Sequence, residues 1–370
     1  MSEFYCEPEI FPIVNSKEGL TIEDRIEIIS SIGEEIIDIE GLVKLLVNVE
    51  TYNKTHPENK KDIIAYDGFE PSGRMHIAQG LLRAHNVNKF VKAGVKFKFW
   101  VADWFALMNL KLGGDLKKIQ KAGTDMIEVW KACGMNTEAV DKDGKPMIEF
   151  IWSSEEINKR SDEYWKLVLD IGTKFNLNRI KKCTQIMGRE ESDDLAASQI
   201  FYPVMQCVDI FFLKADIVST GIDQRKVNVL ALEYCDKIKR KHKPIIISHH
   251  MIMGLDGSDK MSKSNPDNTI FMDDNEYDIK RKITKAFCEP NNIEKNPLLD
   301  WAEHIIFPIN NKMIIPENNK WNEPEIILSC FEDLKQLFLE GKVQPKGLKE
   351  SVIKHIIELL KPVQNKLQNK

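Results

Sequence analysis

The sequence predicts an α/β protein, a parallel sheet with a helical stretch inserted in it and a separate helical domain after it. Three observations predict it. A short apolar run (Ile63-Ile64-Ala65-Tyr66) and a turn (Pro71-Ser72-Gly73) lead to a stretch with Ile77, Leu81, Ala84, Val87 and Val91 at helical spacing, then to a run alternating at period two (Val95–Val101). That order is a β-α-β unit, and its two strands must run parallel. Strand-like runs return at Asp216–Ser219 and Pro244–Ser248, and from about Glu276 helix-like stretches alternate with polar loops.

Taken in order, Thr21-Ile22-Glu23-Asp24 has the form of a capping box, and Ile26, Ile29, Ile32, Ile36 and Ile37 continue it as one amphipathic helix. Gly41 separates this from a second, short helix over Leu42–Val49, and the Asn-, Lys- and Pro-rich stretch Asn53–Lys61 reads as a linker. After the first strand, the helix from about His76 runs until Gly94 stops it. From about Gly114 to Gln199 the pattern is mostly helical, with a basic cluster of Arg179, Lys181, Lys182 and Arg189.

Composition bounds the class. At 370 residues, 42% hydrophobic and 29% charged, the chain is ordinary for a globular protein and long enough for two or three domains. No apolar run approaches the roughly 20 residues that span a bilayer, so no membrane partner is expected. The N-terminus (Met1-Ser2-Glu3-Phe4) has neither the basic region nor the apolar core of a signal peptide. Seven scattered cysteines without paired or metal-ligand spacing predict a reducing compartment and no protein-held metal. A net charge of −5 argues against a general polyanion binder, while leaving room for a local basic patch.

Chemistry concentrates in two segments. Lys260-Met261-Ser262-Lys263-Ser264 places two ammonium groups three residues apart on a loop that Gly254 and Gly257 precede. Such a strip offers charged donors to a polyphosphate, and a solvated basic loop is the plainer alternative. Far upstream, the first strand leads into its helix through Tyr66-Asp67-Gly68-Phe69-Glu70-Pro71-Ser72-Gly73-Arg74-Met75-His76-Ile77-Ala78-Gln79. An α/β sheet binds nucleotides at such a place, beyond the carboxyl end of a strand and near a helix N-terminus. Gly68 and Gly73 allow close backbone approach, and Ser72, His76 and Gln79 offer donors. A Gly-x-x-x-x-Gly without a following Lys-Ser/Thr is not a Walker loop, which disfavours a P-loop nucleotidase. A lone His at a helix start is commonly a cap; beside the lysine loop, His76 reads as functional.

Together the two segments resemble the signatures of the class I aminoacyl-tRNA synthetases, a His-Ile-Gly-His-like tetrapeptide and a downstream Lys-Met-Ser-Lys-Ser. Here the tetrapeptide is His76-Ile77-Ala78-Gln79, with Gln79, still a donor, in place of the second His. Further stretches resemble the tyrosyl enzymes of archaeal and eukaryotic type. They are Tyr66–Gly73, Tyr202-Pro203-Val204-Met205-Gln206-Cys207-Val208-Asp209, Gly221-Ile222-Asp223-Gln224-Arg225-Lys226, Gly254-Leu255-Asp256-Gly257 and Ala286-Phe287-Cys288-Glu289-Pro290. The resemblance runs from about residue 20 to the C-terminus. It implies an N-terminal helical segment over 1–61 and a Rossmann-like catalytic domain over 62–265 with a helical connective and dimerisation insertion at about 114–200. A lysine-loop linker and a helical anticodon-binding domain would occupy 266–370, with no appended domain expected after Lys370.

The resemblance also implies roles. Tyr66 and Asp209 would hydrogen-bond a substrate phenol, and Tyr202, Gln206 and Gln224 would hold its α-ammonium. The residue types suit this: a phenol needs a donor and an acceptor, and Gln206 and Asp209, three apart on a helix, share a face. His76, Gln79, Lys260 and Lys263 would be catalytic. Gly68, Glu70, Ser72, Gly221, Asp223, Gly254 and Ser262 would join them around ATP and the adenylate. ATP would enter with Mg²⁺ as a substrate complex, and no organic cofactor is expected. Arg179 and Arg225 would touch the tRNA acceptor end, and Trp321, between Lys320 and Asn322, would stack on an anticodon base. Gln344-Pro345-Lys346-Gly347-Leu348-Lys349 resembles the family's His-Pro-x-Asp-Leu-Lys, with Gly347 where the anticodon-reading Asp stands. A cytoplasmic homodimer acting on L-tyrosine, ATP and the tyrosine tRNA is expected. A tryptophanyl sister enzyme would have no use for the Tyr66/Asp209 pair, and a non-catalytic RNA-binding relative would be free to lose Lys260 and Lys263.

Overall fold

The computed structural model of the chain describes residues 19–189, 193–263, 265–317 and 324–368. The capping box forms as read: Thr21 Oγ1 accepts from the Asp24 amide at 3.1 Å while the Asp24 carboxylate accepts from the Thr21 amide at 2.8 Å. Helix α1 (Ile22–Ser30) nevertheless stops early. Ile36 and Ile37, expected to extend it, lie in strand β1 (Glu35–Ile37). Gly33 makes the break, because a Cβ there would stand 2.9 Å from Ile247 of the sheet. Helix α2 (Ile39–Thr55) absorbs both Gly41 and the start of the expected linker. Asp38, held at φ +72°, caps it by accepting from the Gly41 amide at 2.9 Å, so Gly41 lies in a first turn and divides nothing.

The β-α-β unit is present as β2 (Ile64–Phe69), α3 (Arg83–Lys92) and β3 (Lys96–Val101). A π-helical turn, Ala78–Leu82, precedes α3, so the helix expected from His76 opens wide. Helices α4 (Asp103–Met108) and α5 (Leu116–Ala132) lead to β4 (Ile148–Trp152), α6 (Ser153–Lys159), α7 (Ser161–Lys174), α8 (Leu177–Cys183) and α9 (Ala197–Phe212). The helical reading of 114–199 therefore missed one strand. Ile148-Glu149-Phe150-Ile151-Trp152 is too short for periodicity to separate strand from helix, and pairing with β3 decides it. Then come β5 (Ile217–Gly221), α10 (Arg225–Lys237), β6 (Ile245–His249), α11 (Glu276–Thr284), α12 (Pro297–Trp301) and α13 (Phe307–Asn310). Strands β7 (Met313–Ile315) and β8 (Ile326–Leu328) form a small antiparallel sheet beside α14 (Phe331–Leu339) and α15 (Pro345–Gln368). The final segment is thus helical with a two-stranded ribbon, which buries Met313, Ile315 and Leu328.

The main sheet runs β1-β6-β5-β2-β3-β4. Four of its five pairings are parallel, and β1 alone runs antiparallel, against β6. Alternation along each strand divides two cores. Ala65, Phe97, Phe99, Ile217, Ile245 and Ile247 face one, and Tyr66, Trp100, Val218 and Ile246 face the other. Trp130 of α5 packs on Phe99 at 4.9 Å between ring centroids, and its Nε1 donates to the Gln79 carbonyl at 2.7 Å, fixing the π-turn on the sheet. The chain moves outward from β2 to β3 and β4, then returns to the other side of β2 for β5 and β6. The order reverses between β2 and β5, and a doubly wound sheet opens its ligand crevice beyond the carboxyl ends of those strands.

Candidate active site

Both sides of that crevice carry polar groups. Helix α9 presents Tyr202, Gln206 and Asp209 at successive turns. Asp209 is wholly buried, and its Oδ1 accepts from the Tyr164 hydroxyl of α7 at 2.7 Å. Its Oδ2 has no hydrogen-bond partner among the described residues. The Trp100 indole lies close enough to favour the charged carboxyl, although its Nε1 also falls short of a hydrogen bond. Burial pushes the Asp209 carboxyl well above its usual range, with Tyr164 and Trp100 opposing. Tyr66 reaches the same place from β2. Burial first, then the Asp209 charge, raises its phenol well above the ordinary value. A Cβ on Gly68 would stand 3.1 Å from the Tyr66 hydroxyl, so glycine leaves that side of the pocket open.

Nearer the mouth, Gln206 Nε2 donates to Gln224 Oε1 at 3.0 Å, and Gln224 Nε2 donates to the Ile186 carbonyl at 3.1 Å. Glu70 lies beside Tyr202, and after burial its charge raises that phenol. Glu70 is held by Asn109 Nδ2 at 3.0 Å and paired with Lys111 at 3.4 Å. Arg189, from the basic cluster read in the sequence, donates to Asn109 Oδ1 at 3.5 Å.

Across the crevice the two motifs meet. Lys263 Nζ donates to Ser72 Oγ at 2.9 Å across 191 residues of chain. Burial and then the Lys111 charge bring the Lys263 ammonium down to about 8, with Glu70 opposing. Two crowded cations with one counter-charge make a place that an anion relieves. His76 Nδ1 accepts from the Gln79 amide at 3.4 Å, which leaves the proton on Nε2. Burial, then Lys263 and Arg83, hold His76 down to about 3, so the ring is a neutral donor. Gln79 Oε1 is buried without a hydrogen-bond partner among the described residues. Lys260 pairs with Asp223 at 3.4 Å. A Cβ on Gly221 would stand 2.7 Å from Asp223 Oδ1, and one on Gly254 would collide with Ser258 Oγ. Ser262 is exposed, its carbonyl accepting from Thr269 Oγ1 at 3.0 Å. Ser264 lies outside the described residues.

The flanks of the motifs are joined by backbone. Ile77 donates to the Ile270 carbonyl at 3.0 Å, and Met272 donates to the Met75 carbonyl at 2.8 Å. Arg74 pairs with Asp273 and Asp274 and lies over Phe271.

Sequence reasoning did not find Tyr164, Asn109, Lys111, Arg83 or His249. Arg83 pairs at 3.1 Å with buried Asp67, whose carboxyl burial pushes up to about 6 against that charge. His249 ends β6 beside Gly221, and burial and Arg83 lower it to about 4. None of these has a local motif; each is identified by a partner distant in sequence. Of the residues assigned to RNA, Arg179 is held by Glu233 at 3.0 Å and Arg225 by Glu35 at 2.8 Å. Trp321 lies outside the described residues. Gly347 sits in α15, where a Cβ would press on Ile315 at 3.2 Å.

Comparison with known proteins follows the same lines. Residues 58–361 match the family described as tRNA synthetases class I (W and Y). The chain is 49% identical over 345 residues to the cytoplasmic tyrosine–tRNA ligase 1 of Arabidopsis thaliana, covering 93% of this chain and 84% of that one. Among solved structures it resembles the Leishmania major tyrosyl-tRNA synthetase in complex with tyrosinol, at 44% identity and a TM-score of 0.82 over 95% of this chain. It spans only 50% of that longer chain. The Pyrococcus horikoshii tyrosyl-tRNA synthetase complexed with L-tyrosine is 31% identical, with a TM-score of 0.83 over 95% of this chain and 97% of that one.

Proposed function

The chain belongs to the class I tyrosyl-tRNA synthetases, and from that premise we propose that it activates L-tyrosine with ATP and transfers the tyrosyl group to the 3′ end of its tRNA. The observation that carries this reading is Asp209, a buried carboxyl with one oxygen held by Tyr164 and the other without a partner among the described residues, in the pocket that Tyr66 shares. A substrate hydroxyl donating to Oδ2 and accepting from Tyr66 satisfies both groups. Tyr202, Gln206, Gln224 and Glu70 supply acceptors for the α-ammonium.

The tyrosine carboxylate attacks the α-phosphate of ATP, giving tyrosyl-adenylate and pyrophosphate. The nucleophile is already ionised, so the protein supplies position and positive charge instead of a base. Lys263, Lys260 and the Nε2–H of His76 stabilise charge on the transferring phosphate. Ser72 and Gln79 position them, and Mg²⁺ arrives on the polyphosphate. Gly68, Gly221, Asp223, Gly254 and Ser262 line the nucleotide's place. A hydroxyl of the terminal tRNA adenosine then attacks the anhydride. Arg179 and Arg225 meet the acceptor end by exchanging their glutamate partners for phosphate, and Trp321 meets the anticodon. The enzyme works in the cytoplasm, as a homodimer.

ATP–pyrophosphate exchange with single amino acids tests the assignment. Tyrosine supports exchange; phenylalanine and tryptophan do not. Exchange with tryptophan alone overturns the tyrosine pocket, and absence of exchange with every amino acid overturns catalysis.

A further inference from the structure

Away from the crevice, one group of side chains has a composition the proposed reaction does not use. His250 follows β6 directly, Asp300 lies in α12, and His304 lies one turn further on, in a π-helical turn over Ala302–Ile306. One ligand atom from each, two imidazole nitrogens and a carboxylate oxygen, all fall within 4.8 Å of one another. His250 Nε2 is 2.6 Å from Asp300 Oδ1, and His304 Nε2 is 3.9 Å from the same oxygen. Glu34 Oε2 stands 3.1 Å from His250 Nδ1. That outer carboxylate fixes the ring with Nε2 turned toward Asp300, the device that orients metal-bound histidines.

We propose that His250, Asp300 and His304 bind a divalent transition-metal ion of the zinc class, at the seam between the main sheet and the helices that follow it. Imidazole and a single carboxylate suit Zn²⁺, whereas Mg²⁺ and Ca²⁺ take oxygen ligands. Around a tetrahedral ion, ligand atoms at about 2.0–2.2 Å stand about 3.3–3.6 Å apart. The observed 2.6 and 3.9 Å lie on either side of that spacing, and the two imidazoles are stacked with centroids 4.0 Å apart, so a rotation of the rings turns both nitrogens onto one ion. Both imidazoles are partly exposed while Asp300 is buried, which gives the ion an entry side and a place for water as fourth ligand. Sequence spacing could not show this, because His250 reaches its partners across 50 residues.

The location gives the ion a consequence. Asp300 Oδ2 accepts from the Met253 amide at 2.9 Å, and Trp301 Nε1 donates to the Met253 carbonyl at 2.9 Å. Met253 adjoins Gly254, where the lysine loop departs. A metal held by Asp300 therefore pins the root of that loop to α12, separate from any Mg²⁺ that arrives on ATP.

The full chain, stripped with a chelator, is titrated with Zn²⁺ by calorimetry and with Co²⁺ by visible absorption, in excess Mg²⁺. The expected result is one site per chain insensitive to Mg²⁺, with d–d bands of a four-coordinate cobalt and a melting temperature that rises with zinc. Glu34→Gln weakens the site about 10- to 100-fold, and His304→Ala abolishes it. His304→Gln serves as a second removal of the imidazole if the alanine variant does not fold. No saturable site, or a site that survives both His304 replacements with unchanged affinity, overturns the proposal and leaves His250 as a carboxylate-held imidazole stacked on His304.

Discussion

Asp209 and Lys263 both owe their properties to burial, and each gives a residue-level test. Tyr164 acts on substrate through Asp209, whose Oδ1 it holds, so it is a positioning residue. Tyr164→Phe removes the donor while keeping the ring's packing. A buried acceptor left without its donor costs about 1–3 kcal/mol, which corresponds to a fall of about ten- to a hundredfold in kcat/KM for tyrosine. The KM for ATP should stay near that of the parent enzyme, and equal losses for both substrates would show a general defect instead. Asp209→Ala should be more severe on tyrosine activation and equally mild on ATP. The pH dependence comes from Lys263, brought down to about 8. Its ammonium is charged below that value and neutral above it, so kcat/KM for ATP should be level at neutral pH and fall as pH rises through about 8. Bound phosphate stabilises the charged form and moves the limb in kcat to higher pH. His76, held down to about 3, should contribute no limb between pH 5 and 8. Lys263→Arg should remove the alkaline limb; a limb that stays in place assigns it to another group.

At the scale of elements, the β-α-β unit was legible because its periods were clear, and β1, β4 and the β7–β8 ribbon were not. Those strands are three to five residues long, and pairing with distant partners decides their state. Ile36 and Ile37 fit a helical period and still pair with Ile246 and Ile247, since Gly33 brings the chain onto the sheet edge. The junction of the two motifs was also hidden from the sequence. Residues 74–77 and 270–274 are held together by backbone hydrogen bonds and by Arg74, Asp273, Asp274 and Lys282. Asp274 and Lys282 are both buried, with Nζ 2.6 Å from Oδ2. Asp274→Ala strands that ammonium and should cost about 3–5 kcal/mol. Asp273→Ala removes only a half-exposed partner of Arg74 and should cost less than about 1 kcal/mol. Chemical denaturation of the two variants measures the difference, and equal midpoints would show that Lys282 finds another partner. The Asp274 variant should also lose adenylate formation more than tyrosine binding, because the lysine loop loses its register with His76.

Over the whole molecule, the two short motifs gave away the site because each holds its chemistry in contiguous residues, while the pocket around them is assembled by the fold. Tyr164, Arg83 and Lys111 act through partners that only the sheet and α9 bring near. The surface carries a further feature of this scale. Helices α7 and α8 both pack on α9, and the three still expose large apolar side chains: Trp165 and Leu169 one turn apart on α7, Leu177 at the start of α8 and Phe201 on α9. Leu169 is 67% and Phe201 52% exposed, in a molecule whose other large aliphatic groups are mostly buried. An apolar area of this kind marks an interaction surface, and the occupant we assign to it is a second copy of this chain. Trp165 and Leu169 lie within the stretch that the family resemblance assigns to dimerisation, which supports that choice. If that proposed dimer forms, Leu169→Glu places two like charges in its two-fold interface and should convert it to a monomer in sedimentation at micromolar concentration. ATP–pyrophosphate exchange per chain should persist, because Asp209, Lys263 and His76 are all supplied by one chain. Aminoacylation should fall further than exchange if the tRNA bridges two protomers. A parent enzyme that sediments as a monomer, or a Leu169→Glu variant that remains dimeric, would place the interface elsewhere.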